Sequence, residues 1–124
     1  MINVLLVEDN EMNRDMLTRR LERKGYKVFA AIDGPDGIEM ARAQMPDVIL
    51  MDVALGDMDG WEATAILRAD AKTKNIPVIA LTAHALETDR RKSIEVGCAD
   101  FETKPVSLAD LIQKIEKHAN KRAL

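Results

Sequence analysis

The sequence predicts an α/β fold in which one doubly wound parallel β-sheet carries helices on both faces. Five short, nearly continuous apolar segments recur along the chain, as expected of strands that are buried on both sides. Segments with helical periodicity alternate with them, which favours consecutive βα units. The length of 124 residues suits one domain with a single core.

The apolar segments define the strands. The predicted strands are Val4–Val7, Val28–Ile32, Val48–Met51, Val78–Leu81 and a weaker segment around Phe101. Most are rich in β-branched or other aliphatic residues, which suits a buried pleated sheet. Right-handed crossovers between such parallel strands leave few possible topologies.

Capping residues mark the first two helices. Asn10 can cap a helix that runs to about Lys24, and Gly25 lies where a left-handed residue commonly ends a helix. The turn Asp33-Gly34-Pro35 begins a second helix, which Pro46 stops. The methionines that we predict to fill an aliphatic core are Met12, Met16, Met40, Met45 and Met51.

The remaining helices differ in the strength of their apolar stripes. A third helix is predicted from about Trp61 to Ala69. A fourth, from His84 to Val96 with its end at Gly97, has a thin stripe and should be loosely held. The last begins at Ser107 with a sequence like a capping box. Its clear apolar stripe consists of Leu108, Leu111, Ile112 and Ile115.

Charge and composition exclude several classes of function. The formal net charge of −3 gives no general attraction to nucleic acid or an anionic membrane. The basic residues near the C-terminus suit the dipole of the last helix, with nucleic-acid binding as the alternative. No apolar segment approaches the roughly 20 residues of a spanning helix. With Cys98 as the single cysteine and no secretory signal, we expect a cytoplasmic protein.

Polar residues follow four of the predicted strands. Glu8-Asp9 follows the first, Asp52 the third, Thr82 the fourth and Thr103-Lys104-Pro105 the fifth. Because the carboxyl ends of parallel strands meet at one edge of a sheet, these side chains should lie together. Clustered carboxylates invite a hard divalent cation, whereas an ammonium and a hydroxyl suit an anionic ligand such as phosphate.

This pattern resembles the receiver domain of two-component response regulators. The similarity rests on Glu8-Asp9, Asp52, Thr82-Ala83 and Lys104-Pro105 in this order, and it covers essentially the whole chain. It implies a flavodoxin-like fold with five helices and the strand order 2-1-3-4-5. It also implies one receiver domain over residues 1–124, of the stand-alone, chemotaxis-regulator-like type without an output domain.

The resemblance assigns the acidic residues to phosphoryl transfer. Asp52 is the implied phosphoryl acceptor, because a carboxylate can attack phosphorus to form an acyl phosphate. Mg²⁺ would be held by Glu8, Asp9, Asp52 and the backbone carbonyl of Ala54. The simpler alternatives are a capping aspartate at position 52 and an acidic start to the first helix.

The resemblance also assigns the other residues at this edge. Lys104 would pair with the phosphoryl group, and a cis bond to Pro105 is common in the family. Thr82 would donate its hydroxyl to a phosphoryl oxygen, and Phe101 occupies the aromatic switch position. The alternatives are an ordinary surface lysine and a phenylalanine that only packs on an edge strand. Gly56 departs from the family's usual proline, which should loosen its loop.

The implied function is a phosphorylation-dependent switch that catalyses only its own phosphorylation and dephosphorylation. A sensor histidine kinase or a histidine phosphotransfer protein would supply the phosphoryl group. A downstream target protein would then bind a face made by residues 85–96, 100–103 and 107–121. Alternatively, the phosphoryl group would be relayed to another histidine protein. We expect a monomer or weak dimer.

Two other classes of function are considered. A metal-dependent phosphatase or phosphotransferase of this kind usually carries a second aspartate two residues after its nucleophile, but position 54 is Ala. A phosphate-independent interaction module would not need the full polar set that this sequence retains. Both are therefore disfavoured.

Overall fold

The computed structural model is a five-stranded sheet with five helices, and it describes residues 1–83 and 87–123, with side chains up to residue 119. The strands are β1 (Asn3–Val7), β2 (Lys27–Ala31), β3 (Val48–Asp52), β4 (Val78–Thr82) and β5 (Asp100–Thr103). The helices are α1 (Glu11–Arg23), α2 (Gly34–Gln44), α3 (Gly60–Ala69), α4 (Glu87–Glu95) and α5 (Leu108–Ala123). All strand pairs are parallel, and their order is β2-β1-β3-β4-β5, which confirms the expected fold.

The helix ends follow the capping residues of the sequence. Asn10, Asp33 and Asp59 each accept a hydrogen bond from the backbone N–H three residues later, at 2.8–2.9 Å. These bonds satisfy donors that a helix start leaves without a partner. Gly25 and Gly97, with φ of 95° and 100°, follow α1 and α4 as predicted.

Alternate strand residues pack on opposite faces of the sheet. Under α1 and α5 the core consists of Val4, Leu6, Leu17, Leu21, Tyr26, Val48, Leu50, Ile79, Leu81, Leu111, Ile115 and Ala119. Under α2 and α3 it consists of Leu5, Val7, Ala31, Ala41, Ile49, Met51, Leu55, Ala63, Leu67, Ile76 and Val78. The core is thus mainly aliphatic, with Tyr26 as a buried aromatic residue.

The prediction that Met12 and Met16 fill the core is wrong. Their exposed fractions are 80% and 45%, whereas Met51 is buried. At about 100° per residue, Met16 and Leu17 point in clearly different directions around α1. Leu17 and Leu21 take the buried direction, so the two methionines lie on the surface of α1.

α4 is the most weakly buried of the helices. Ser93 is the buried residue among those described in α4, and Ile94 is 62% exposed. Residues 84–86, where the fourth helix was predicted to begin at His84, lie outside the described residues. Throughout the described part of the chain, every helix is too short or too polar to traverse a lipid bilayer.

Candidate functional site

Three carboxylates converge at the carboxyl ends of β1 and β3. Glu8, Asp9 and Asp52 each offer an oxygen, and these atoms lie within 4.8 Å of one another. Val7 and Met51 are register partners on adjacent strands, which explains how residues 44 positions apart along the chain meet. Glu8 and Asp52 are buried and Asp9 is exposed. Hard oxygen ligands at this spacing, open to solvent on one side, fit a divalent cation such as Mg²⁺.

Lys104, the residue that follows β5, joins this cluster. Its Nζ lies 3.1 Å from Glu8 Oε1 and 3.0 Å from Asp52 Oδ2, so one ammonium bridges two buried carboxylates. The backbone N–H of Lys104 donates to the carbonyl of Thr82 at 2.7 Å, and the peptide bond from Lys104 to Pro105 is cis. The position of this lysine agrees with the sequence prediction, and the cis bond is the one that the family resemblance implied.

The electrostatics of the cluster follow from burial and neighbouring charge. Burial, reinforced by the Asp52 carboxylate, raises the pKa of Glu8 above its ordinary value. Burial alone would lower the pKa of Lys104, but hydrogen bonding and charge from Asp52, and then from Glu8, raise it overall. Lys104 therefore remains a cation at neutral pH and offsets part of the carboxylate repulsion.

The loop after β3 holds the Asp52 carboxylate through a backbone hydrogen bond. Ala54 donates its backbone N–H to Asp52 Oδ1 at 3.1 Å, and Gly60 donates to the carbonyl of Val53 at 3.0 Å. A Cβ atom at position 60 would collide with the Asp52 carbonyl oxygen, so the close approach requires glycine there. A side chain at position 56 would meet open space, so packing does not require glycine there.

Thr82 and Phe101 lie at different positions along the strands, Thr82 at the carboxyl end and Phe101 two residues before it. Thr82 is buried at the end of β4, where its register partner is Thr103. Phe101 pairs with Ala80, two residues before that edge, and is partly buried. Thr82 thus adjoins the edge, whereas Phe101 lies away from the acidic cluster.

Phe101 lies between cationic groups of the two neighbouring helices. The Arg90 guanidinium of α4 is 5.7 Å from its ring centroid, and the Lys114 ammonium of α5 is 5.9 Å away. Lys114 also donates to the Phe101 carbonyl at 2.8 Å and pairs with Glu102 at 2.6 Å. The ring therefore connects α4, β5 and α5 through cation–π contacts.

One site residue was not identified from the sequence. Arg14 donates from Nη1 to the backbone carbonyl of Glu8 at 2.9 Å. The available signal was a cation in the first turn of α1, a position that the helix dipole disfavours.

Comparisons with known proteins agree with this site. The sequence matches the profile of the response regulator receiver domain over residues 4–116. It is 35% identical over 116 residues to the polar-differentiation response regulator DivK of Brucella anthropi, covering 94% of each chain.

Two solved structures share the fold. The first is the receiver domain of sensor histidine kinase PA1611 from Pseudomonas aeruginosa, crystallised with a magnesium ion in its active site cleft. It has a TM-score of 0.89 and 36% identity, with 96% of this chain and 98% of that one covered.

The second is the receiver domain of Saccharomyces cerevisiae Ssk1, crystallised with the histidine phosphotransfer protein Ypd1. It has a TM-score of 0.91 and 32% identity, with 99% of this chain and 92% of that one covered. The chain belongs to the response regulator receiver domain family and is a receiver domain of two-component and phosphorelay signalling.

Proposed function

We propose that Asp52 is the phosphoryl acceptor of this receiver domain. The observation that carries the proposal is the Lys104 ammonium, which lies 3.0 Å from Asp52 Oδ2 beside two further carboxylates. An ammonium in this position can neutralise a phosphoryl oxygen, and a divalent cation held by the carboxylates would neutralise the others. A capping aspartate would not need either neighbour.

The transfer step needs little covalent work from the protein. An Asp52 carboxylate oxygen attacks phosphorus of a phosphohistidine, an O–P bond forms, and the N–P bond breaks. The imidazole nitrogen leaves with the electron pair of that bond. Ala54 and Lys104 hold the carboxylate through one oxygen each, which restricts its rotation before attack.

Glu8, Asp9, Asp52 and the carbonyl of Ala54 would hold Mg²⁺. The ion supplies Lewis-acid neutralisation of the phosphoryl oxygens when it is bound. The support from this chain is the compact donor set, and the related PA1611 receiver domain carries magnesium in its active site cleft. Mg²⁺ prefers such carboxylates combined with substrate phosphate and water.

Phosphorylation would be transmitted through Thr82 and Phe101. The Thr82 hydroxyl would donate to a phosphoryl oxygen on Asp52 and draw the end of β4 toward it. Phe101, which connects α4, β5 and α5, would respond by a change of packing. The downstream target protein would bind the face formed by residues 85–96, 100–103 and 107–121. Residues 85–86 and the side chains after 119 lie outside the described part of this face.

We infer that Met16 of α1 contributes to the surface that binds the phosphodonor. Met16 lines a groove of about 610 Å³ that also contains Glu8, Lys104 and Pro105, so the groove reaches the acidic cluster. Flexible apolar side chains beside the acceptor suit a helical histidine phosphotransfer protein or histidine kinase. The Ssk1 receiver domain binds such a protein, Ypd1.

The wider function follows from these assignments. The protein would catalyse its own phosphorylation and dephosphorylation and would not act on external substrates. We propose that residues 1–124 form one receiver domain that acts in the cytoplasm as a monomer or weak dimer.

Intact-mass measurement with a small phosphodonor tests the acceptor. Wild-type chain incubated with acetyl phosphate and Mg²⁺ should gain the mass of one phosphoryl group. Asp52→Asn should lose this gain because an amide is a poor nucleophile. Asp57→Asn, an exposed aspartate in the adjacent loop, is the matched control and should behave as the wild type.

Removal of Mg²⁺ with a chelator should also abolish the gain. If the Asp52→Asn variant were still phosphorylated, the acceptor would be a residue other than Asp52. A wild-type chain that gains no mass would favour a phosphate-independent module, and rapid continuous consumption of the donor would favour an enzyme.

A further inference from the structure

We propose that Arg14 is a positioning residue for the metal pocket, an inference that rests on the proposed function. Its Nη1 donates to the backbone carbonyl of Glu8 at 2.9 Å, and the side chain is partly buried. This carbonyl belongs to the peptide that joins Glu8 to Asp9. Arg14 therefore holds the one peptide whose two flanking side chains both enter the acidic cluster.

Two other hydrogen bonds hold the ends of the segment 8–10, which contains the peptide between Glu8 and Asp9. The Glu8 N–H donates to the Ala31 carbonyl of β2 at 3.1 Å, which continues the sheet. The Asn10 N–H donates to Glu8 Oε2 at 3.3 Å, and Asn10 itself caps α1. Neither contact holds the Glu8 carbonyl. Without Arg14, the peptide between Glu8 and Asp9 can rotate, and such a rotation would move both carboxylates.

The position of Arg14 in α1 carries an electrostatic cost. The residue lies in the first turn, where the helix dipole disfavours a cation. Its positive charge would also repel a divalent cation in the nearby pocket. The hydrogen bond to Glu8 offers a reason for a cation at this place, because the long guanidinium side chain reaches a carbonyl six residues earlier, before the start of α1, with a preorganised donor.

Positioning and charge have opposite effects on metal affinity. If Arg14 acts only through its charge, its removal relieves repulsion and Mg²⁺ binds more tightly. If Arg14 positions the ligands, its removal weakens binding, because Mg²⁺ tolerates little departure from octahedral geometry. Loss of a group that orients metal ligands typically costs about 10- to 100-fold in affinity. We expect positioning to dominate.

Titration of the full chain with Mg²⁺ by calorimetry, without phosphodonor, tests this inference. Arg14→Met should bind Mg²⁺ roughly tenfold more weakly than the wild type. Arg14→Lys, which keeps a donor and the charge, should recover much of the affinity. Arg19→Met is the matched control on the same helix, because Arg19 is exposed and pairs with Asp15 one turn earlier, away from the acidic cluster. It should bind as the wild type does.

A repeat in about 1 M salt separates the two effects further. At this ionic strength the Debye length is about 3 Å, so a charge effect is screened while a geometric effect persists. Equal or tighter Mg²⁺ binding by Arg14→Met would overturn the inference, and so would failure of Arg14→Lys to recover any affinity. A wild-type chain that binds no Mg²⁺ would overturn the proposed metal site, and this inference with it.

Discussion

Lys104 is the residue on which the charge balance of the site depends. It lies between Glu8 and Asp52, two buried carboxylates that would otherwise repel each other. Burial, and then the Asp52 carboxylate, raise the pKa of Glu8 because both disfavour a second negative charge there. Before a cation or phosphoryl group arrives, this lysine provides the positive charge that both carboxylates require.

Replacement of Lys104 by Met should leave the chain folded but less stable. Removal of one partner of a fully buried pair costs about 3–5 kcal/mol, and the partial exposure of Lys104 reduces this to about 2 kcal/mol. Mg²⁺ should restore part of the loss because it supplies positive charge to the same carboxylates. Thermal unfolding with and without Mg²⁺ measures both effects.

The pH dependence of this contribution has a defined sign. The pKa of Lys104 is raised above 10.5, so its stabilisation is complete below that pH and is lost as the pH rises through the raised value. Lys24→Met, at an exposed position, should leave this dependence unchanged. If Lys104→Met were as stable as wild type without Mg²⁺, the bridge would be energetically unimportant.

Among the elements, α4 buries little apolar surface, and a polar contact attaches it to α3. Trp61 Nε1 of α3 donates to Ser93 Oγ at 3.0 Å, and Ser93 Oγ donates to the Asp89 carbonyl at 3.0 Å. Lys92 lies 5.8 Å from the Trp61 ring centroid. With so little apolar burial, α4 is suited to move when the end of β4 moves.

Trp61→Phe should loosen α4 selectively. The variant keeps an aromatic ring and removes the N–H donor, and Ser93 retains its bond to the Asp89 carbonyl. Loss of one hydrogen bond of about 1 kcal/mol should speed amide exchange across Glu87–Glu95 roughly fivefold. Exchange in α1 should stay unchanged. Unaltered protection of α4, or equal loss throughout the chain, would show that this contact does not hold the helix.

For the molecule as a whole, the positions of strands and helices could be predicted from the sequence wherever local patterns repeat. Apolar segments such as Val48–Met51 located the strands, and capping residues such as Asn10 located helix starts to within a residue or two. The strand order came from the family resemblance, because right-handed crossovers restrict topology without selecting one order. The polar residues of the site were identified from their positions at the ends of parallel strands, whereas Ala54 and Phe101 came from the family resemblance.

Contacts made by tertiary packing were not predictable. Met12 and Met16 fit an apolar pattern but lie away from the direction that Leu17 and Leu21 bury. The contact between Trp61 and Ser93 joins residues 32 positions apart and leaves no periodic signal in the sequence. Such contacts depend on how finished helices pack against one another.

We propose that Asp52 accepts a phosphoryl group in a pocket shared by Glu8, Asp9 and Lys104. A crystal structure with Mg²⁺ and beryllofluoride, which mimics the phosphoryl group, is the decisive test. We predict beryllium bonded to an Asp52 carboxylate oxygen, a fluorine beside Lys104 Nζ, and Mg²⁺ about 2.0–2.1 Å from carboxylate oxygens of Asp9 and Asp52. Beryllofluoride bound to another residue, or Mg²⁺ held away from these carboxylates, would contradict the account.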